Sequence, residues 1–555
     1  PQLTLPTVRR TLEPLLENSD GSFKTPEEIL SLKVCDPAMG SGSFLVASLR
    51  VLTEAVIASL HQHKRLIARD GSELVHIDCA LLPDADQDQS ADGVAAIVRR
   101  AVVEHCLYGV DLDPLAVELA RVSLWVETLD KRLPFTFLDH KLRCGDALTG
   151  TWLDRFRDYP LLAWWRQSPD EKWRGVTHDG DVWADQLKAM RSSIVEEQRK
   201  LIAGVMKLNF AGESDDELKA AIERVRELYR QLRKVPASQP DKRAEIWRTR
   251  VATSPELAKV KEAFDTWCAL WFWPLDRLDL APRPLDLLVP TADARAVVRE
   301  LAGKKRFFHW ELEFPDVFTE KGAGFDAIVA NPPWETLQPQ SKEFFSDLDP
   351  LYRSYGKQEA LQKQREFFAA NASVEQKWLR YVGGFKDTAA FVANTGEPFG
   401  NREGSTVALV PRKAKESANA HRKWSAERGK KTGLSDPEHP FRHQGEGKPY
   451  SYKLFVEQAH ALLKSGGHLG LITPSGLYTD KGAVDLRRLL LERCAWRWLY
   501  GFENRHKVFD IDSRFKFAVT IAQKGGSTTA LHAAFMHHDL DDWADARGAL
   551  PIPSE

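Results

Sequence analysis

Apolar and polar positions alternate along the first 150 residues in a repeated order: a short apolar run, a break, then residues at helical spacing. "LKVCDPAMGSGSFLVASLRVLTEAV" follows that order through a glycine turn, and "CLYGVDLDPLAVELARVSLWVETL" follows it again. Strands that alternate with helices predict a doubly wound parallel sheet. The polar, acidic stretch "RDGSELVHIDCALLPDADQDQSADG" between the two units reads as a loop excursion.

The texture changes over residues 151–320. Ten of the seventeen tryptophans lie there. In "SDDELKAAIERVRELYRQLRK" the residues Leu218, Ile222, Val225, Tyr229 and Leu232 recur in alternating steps, the stripe of an amphipathic helix. This part reads as a helical insertion whose stripe serves packing. After Phe325 the strand pattern returns, with "GGHLGLITP" and "FKFAVTIAQKGG" as later strands of the same sheet. The predicted division is a first part of the core over 1–150, the insertion over 151–320, a second part of the core over 321–525 and the start of a C-terminal region over 526–555.

Length and charge narrow the picture only a little. The 555 residues carry a net charge of −2, so any nucleic-acid surface has to be a local patch. One candidate runs from Arg412 to Lys431, with eight basic and two acidic residues. Arg422, Lys423, Lys430 and Lys431 are its candidate phosphate contacts, against the plainer reading of a solvated face. The six cysteines lack the close pairing of a zinc or redox site and read as reduced, mostly buried thiols, so no metal is expected. No apolar run reads as a membrane helix and no leader is visible, which predicts a cytoplasmic protein without a membrane partner.

Four short motifs carry chemistry. "DPAMGSGSF" ends a strand in Asp36 and turns through Gly40 and Gly42, letting backbone approach a ligand at a helix start. It lacks the three spaced glycines of a dinucleotide fingerprint and the lysine of a phosphate loop. "YGVDLDP" closes a second strand with Asp111, placed to hold a ribose diol, and "LRCGDAL" closes a third with Asp146, placed to accept from an adenine amine. Each acid alone could be a cap or turn residue. Three in succession point to a nucleoside pocket at the carboxyl ends of a parallel sheet. The fourth motif, "FDAIVANPPWE", ends a buried strand in a diproline corner, because consecutive prolines remove two N–H groups and fix the backbone. Such a corner can present the Asn331 side-chain oxygen and the Pro332 carbonyl as two acceptors for one amine, beside the aromatic face of Trp334.

Together, "DPAMGSGSF", "YGVDLDP", "GD" and "NPPW" resemble, in this order, the motifs of class I S-adenosylmethionine-dependent DNA methyltransferases acting on adenine N6. "SLWVETL", "LDHKLRCGDALTG", "FHWELEFPDVF" and "DSRFKFAV" are similar to the large bacterial methylases of type IIG restriction enzymes and of phage-defence systems, the DISARM adenine methylase first and the BREX methylase next. The resemblance implies a Rossmann-like α/β fold, a seven-stranded methyltransferase sheet with helices on both faces. It assigns Asp36, Pro37, Ala38, Gly40, Gly42 and Phe44 to the methionine end of the cofactor, Asp111 with Leu112 to its ribose, and Asp146 with Ala147 to its adenine. Asn331, Pro332, Pro333 and Trp334 become the catalytic loop, with Asn331 also facing the cofactor. Phe509, preferred over Phe515, stacks on the other face of the target base. The implied reaction consumes S-adenosylmethionine, leaves S-adenosylhomocysteine and acts on double-stranded DNA, with other subunits of a defence system as further partners.

Such enzymes carry a TG-x-x-YTP segment upstream and a target recognition domain downstream. The chain starts at Pro1 and stops at "LPIPSE", and is expected to be part of a longer protein. Three other readings stay open: a cytosine-N4 methyltransferase, a glutamine methyltransferase of release factors, and a subunit that binds DNA and cofactor without methylating.

Overall fold

The computed structural model describes residues 2–68, 75–82, 89–128, 138–166 (154 and 157 excepted), 182–202, 213–235, 242, 245–318, 322–402, 405–410, 413–429, 441–445 and 449–553. Its centre is a sheet of nine strands: β1 (Val34–Asp36), β2 (Leu107–Asp111), β3 (Leu142–Cys144), β4 (Phe325–Ala330), β5 (Leu463–Pro474), β6 (Cys494–Glu503), β7 (Lys516–Lys524), β8 (Ala530–His537) and β9 (Leu550–Pro553). They lie in the order β9-β8-β6-β7-β5-β4-β1-β2-β3. From β5 through β4, β1 and β2 to β3 all neighbours are parallel. Strand β7 runs antiparallel between β5 and β6.

The count corrects the expectation of seven strands. Residues 530–553, expected to open a separate C-terminal region, add β8 parallel to β6 and β9 antiparallel to β8. The signal was weak because β9 is short, carries Pro551 and Pro553 and leaves Leu550 and Ile552 exposed. Proline tolerates only such an edge position. The acidic excursion is likewise no simple loop, since Leu66–Ala68 and Val75–Ile77 pair as a small antiparallel ribbon.

Helices flank the sheet: α1 (Thr4–Leu16), α2 (Ser43–Gln62), α3 (Ala91–Cys106) and α4 (Pro114–Thr128) accompany its first half. Among the described residues, helix α2, at twenty residues, is long and apolar enough to cross a membrane. Here it is a core helix, with Leu45, Leu49, Leu52, Val56 and Leu60 fully buried. Five cysteines are buried and Cys144 is exposed.

The expected insertion is helical, and among the described residues of 151–320 every regular element is a helix. Helix α5 (Val182–Ile202) and α6 (Glu213–Lys234) lead it, followed by α7 (Pro255–Ala269) and α8 (Ala292–Lys305). In α6 the stripe residues Ile222, Val225, Tyr229 and Leu232 are buried as the spacing predicted. The last three of these pack with Trp247 and Val251. A second helical stretch lies within 321–525, between β4 and β5: α9 (Lys357–Ala370), α10 (Ala372–Asn394) and α11 (Ala414–Gly429). The two stretches meet in one core, in which Trp267, Trp271 and Phe272 pack with Phe391, Val392 and Phe441, while Ala360 and Phe368 of α9 pack in a separate cluster with Phe345, Tyr352 and Trp378.

The insertion is stitched to the sheet beside Asp146. The Asp146 N–H donates to the Arg306 carbonyl at 2.8 Å, the Phe308 N–H to the Thr149 carbonyl at 2.8 Å, and the Trp310 indole to the Ala147 carbonyl at 3.0 Å. Gly150 permits this approach: a Cβ there would stand 2.0 Å from the Phe308 carbonyl oxygen. Gly150→Ala is therefore expected to cost about 1–3 kcal/mol, because backbone has to move to relieve the overlap. A lowered thermal midpoint checks it, and an unchanged one would show the seam to be soft.

Candidate active site

The site gathers at the carboxyl ends of four neighbouring parallel strands. Asp36 ends β1, Asp111 ends β2, Asp146 follows β3 and Asn331 follows β4. The registers Asp36 with Gly109, Asp111 with Cys144 and Cys35 with Ile328 put all four at one edge. That edge is where parallel sheets bind ligands.

Asp36 is 1% exposed, and its Oδ1 accepts the Ala38 N–H at 3.0 Å. Burial holds its pKa well above the usual carboxylate range, partly opposed by that N–H, and Asp111 nearby adds to the rise. Asp111 ties the turn together: Oδ2 accepts the Gly40 N–H at 2.8 Å and Oδ1 accepts the Asp113 N–H at 2.9 Å. The Met39 N–H donates to the Val110 carbonyl at 3.0 Å, a second tie between the turn and β2. Gly40 and Gly42 both adopt positive φ, of 52° and 86°. A Cβ on Gly42 would lie 3.2 Å from Ala120, whereas one on Gly40 would meet open space. Gly42 is also the N-cap of α2, so the first N–H groups of that helix face the same crevice. Phe44 is buried in the first turn, Pro37 is buried and Ala38 partly so. Leu112 is 54% exposed at the rim.

Asp146 accepts the Leu148 N–H at 3.0 Å and the Thr149 hydroxyl at 2.7 Å. Burial raises its pKa, with the Thr149 hydroxyl the largest opposing influence. Ala147 is buried under Trp310.

All six residues of β4 are buried, Pro332 is buried, Pro333 is exposed and Trp334 is half-buried. Backbone bonds from Leu337 N–H to Pro449 (2.9 Å) and from Ser451 N–H to Glu335 (3.0 Å) brace the loop against the start of α12 (Ser451–Leu462). The Asn331 Oδ1 and the Trp334 Nε1 are buried and have no hydrogen-bond partner among the described residues. An unpaired buried polar atom costs about 1–3 kcal/mol, and native structures keep few of them.

Three phenylalanines surround Trp334. Phe509 meets it edge-on at 4.7 Å between centroids, Phe515 lies parallel to it at 5.6 Å and 11°, and Phe517 at 6.0 Å and 29°. Both residues weighed from the sequence are thus brought to the corner. Phe509 is part of the packing, while Phe515 is 37% exposed. Sequence reasoning missed Thr149, which engages Asp146, and Asn504, whose side chain bonds the Phe509 backbone. A threonine three residues after an acid is an ordinary turn signal and was legible.

Of the basic segment, Arg422 and Lys423 lie exposed on α11, and Arg422 bonds the Asn419 side chain. Lys430 and Lys431 lie outside the described residues. If the helix grips phosphates, Arg422→Ala with Lys423→Ala flattens the salt dependence of DNA binding by about 0.9 per lost contact. An unchanged slope in a filter-binding titration returns it to a solvated face.

Comparison with known proteins bears on both halves of this edge. The Eco57I restriction-modification methylase family matches residues 281–372 and 429–509, which include Asn331–Trp334 and Asn504. The MmeI DNA-methyltransferase domain matches residues 15–156, which include Asp36, Asp111 and Asp146. Both matches are to restriction-modification methylases. A putative type II restriction enzyme and methyltransferase, RM.MjaORFECS2P of Methanocaldococcus jannaschii, is 30% identical over 137 residues, 23% of this chain and 9% of that protein. Among solved structures, a nuclease-deletion mutant of the Type ISP restriction-modification enzyme LlaGI with a DNA substrate mimic aligns over 98% of the chain and 25% of its own, at 10% identity and a TM-score of 0.35. DNA-bound LlaBIII, an ATP-dependent Type ISP enzyme, aligns over 100% and 22%, again at 10% and 0.35. The chain thus spans a quarter or less of the length of these relatives.

Proposed function

We propose that the protein is a site-specific DNA methyltransferase that moves a methyl group from S-adenosylmethionine to the exocyclic amine of an adenine turned out of double-stranded DNA. The observation that carries this reading is the Asn331 Oδ1, a buried acceptor without a partner among the described residues, one strand away from the buried Asp36. The matched methylase families support the same chemistry.

The residues fit the cofactor such families generally use. Gly40 opens onto free space beside the first N–H groups of α2, a suitable cradle for the methionine carboxylate. Asp111 accepts one N–H at each carboxylate oxygen and keeps lone pairs for a ribose diol. Asp146 and Ala147 line the adenine end. When bound, S-adenosylmethionine supplies a sulfonium-activated methyl group.

The chain's own part in the reaction is to hold the amine. Asn331 Oδ1 and the Pro332 carbonyl each accept one N–H, which draws the nitrogen's lone pair out of conjugation with the ring and toward the donor. Trp334 gives the extruded base an aromatic face, and the half-buried corner keeps water from competing. No strong base is required, since the nitrogen loses its proton readily once it is methylated.

Incubating the protein with tritiated S-adenosylmethionine and unmethylated DNA, followed by nucleoside analysis, tests the reading. N6-methyladenine is expected; N4-methylcytosine would move the substrate to cytosine, and unlabelled DNA would overturn transfer altogether. The setting in a phage-defence system of the DISARM or BREX kind is part of the proposal. Methylation-sensitive long-read sequencing of a host carrying the full gene reads it out together with the recognition sequence.

A further inference from the structure

Asn504 follows β6 and begins the loop that returns to β7, and it is fully buried. Its amide bonds only that loop: Nδ2 donates to the carbonyls of Phe509 (2.9 Å), Ile511 (3.3 Å) and Asp512 (3.3 Å), while Oδ1 accepts the Phe509 N–H at 3.1 Å. The Asn504 N–H closes the loop's far end on the Phe515 carbonyl at 2.8 Å. Three short backbone turns add to this, Lys507 N–H to the Asn504 carbonyl (2.9 Å), Ile511 N–H to Phe509 (2.8 Å) and Phe515 N–H to Asp512 (3.0 Å), but none of them spans the loop. Arg514 pairs with Asp512, but both are exposed, and such pairs contribute little. Its outer rim is Val508, Ile511 and Phe515, each more than a third exposed, interleaved with the exposed basic residues Arg505, His506, Lys507 and Arg514. An apolar rim of this kind gains by folding back onto the protein unless its backbone is held from within. The rings that the loop carries are the ones against Trp334, Phe509 by its edge and Phe515 by its face.

We propose that Asn504 is a positioning residue for the target-base pocket, its side-chain amide fixing the 505–515 loop and thereby the aromatic wall that Phe509 and Phe515 make opposite Trp334. The inference rests on reading the Asn331–Trp334 corner as the site of the target base. Asn504 touches neither base nor cofactor; it acts through the loop. The Nδ2 donors matter most, since one side chain ties together three loop carbonyls, two of which, Phe509 and Asp512, also accept the N–H groups of Ile511 and Phe515.

The test uses the whole chain with two variants, Asn504→Ala and the isosteric Asn504→Asp, which keeps an acceptor for the Phe509 N–H and loses the donors. Limited trypsin digestion reads the loop directly at Arg505, Lys507 and Arg514. Cleavage there is expected to rise about tenfold in both variants, the ratio that corresponds to an opening made easier by about 1.4 kcal/mol, with the rest of the chain equally resistant. In methyl transfer kcat is expected to fall by about 10–100-fold, the scale of a misplaced substrate. The fluorescence rise of 2-aminopurine placed at the target position is expected to be lost, and calorimetric affinity for S-adenosylhomocysteine to stay within about twofold, since the cofactor edge is untouched. Unchanged cleavage overturns the clamp. A loosened loop with unchanged kcat and fluorescence, or wild-type behaviour of Asn504→Asp, overturns the positioning role. If the wild-type chain itself labels no DNA, the reading of the corner fails, and the digestion still decides whether Asn504 holds the loop.

Discussion

Asn331→Ala is expected to reduce methyl transfer by about 10²–10³-fold in kcat, the loss that follows removal of one preorganised hydrogen-bonding group from a reacting centre. The Asn331 Oδ1 is held at the end of a fully buried strand, without a partner among the described residues, so nothing has to be released before it meets an amine. Alanine removes the acceptor and leaves the diproline corner with its bracing bonds to Pro449 and Ser451 intact. Affinity for S-adenosylhomocysteine should change little, because the three acids and the glycine turn lie at the ends of β1, β2 and β3. Single-turnover labelling with calorimetry on the same preparation checks both halves. Lost cofactor binding in a folded variant would contradict the division of labour between β4 and those three strands.

Asp111→Ala should do the reverse. Its carboxylate answers the Gly40 N–H at 2.8 Å as well as the Asp113 N–H, and in the proposed complex it also takes the ribose diol. Hydrogen bonds to a charged group contribute about 1.5–3 kcal/mol each, so losing two to the ligand weakens cofactor binding by about 10²–10⁴-fold. Loosening of the glycine turn adds to that. Asp111→Asn separates the contributions: its amide keeps one acceptor oxygen and can no longer serve both the turn and two hydroxyls, so an intermediate affinity is expected. Equal calorimetric affinity of Asp111→Ala and wild type would remove the nucleoside from this edge.

The residues that end strands were legible because chemistry and secondary structure coincide there. Asp36, Asp111 and Asp146 each close an apolar run, and each stands at the sheet edge where those runs stop. The diproline corner was legible for the same reason, since two prolines leave the chain few conformations. Periodicity alone also exposed α6, through a stripe that is buried against Trp247.

What escaped the sequence depends on distant partners or weak local signals. β8 and β9 were hidden by a partly exposed strand and by proline, and the helices after β4 merge with the first helical stretch only through contacts such as Trp271 with Phe391. The choice between Phe509 and Phe515 turns on which ring stays exposed once the loop closes, and no spacing rule encodes that. Asn504 reads as an ordinary polar residue after a strand; its meaning comes from carbonyls five to eight positions ahead that only the folded loop turns inward.

The pairing of Val34 with Ala327 has a bearing on how the protein is made. Strand β1 lies between β2, which the ribosome delivers soon afterwards, and β4, which emerges only after the whole first helical stretch. Until then one flank of β1 is an unpaired edge beside a run of buried apolar side chains, and such edges invite pairing with other nascent chains. Expression trials that truncate the chain before Phe325 should therefore yield aggregates rather than a half-domain, and slow translation through the tryptophan-rich stretch would prolong the same exposure in the cell.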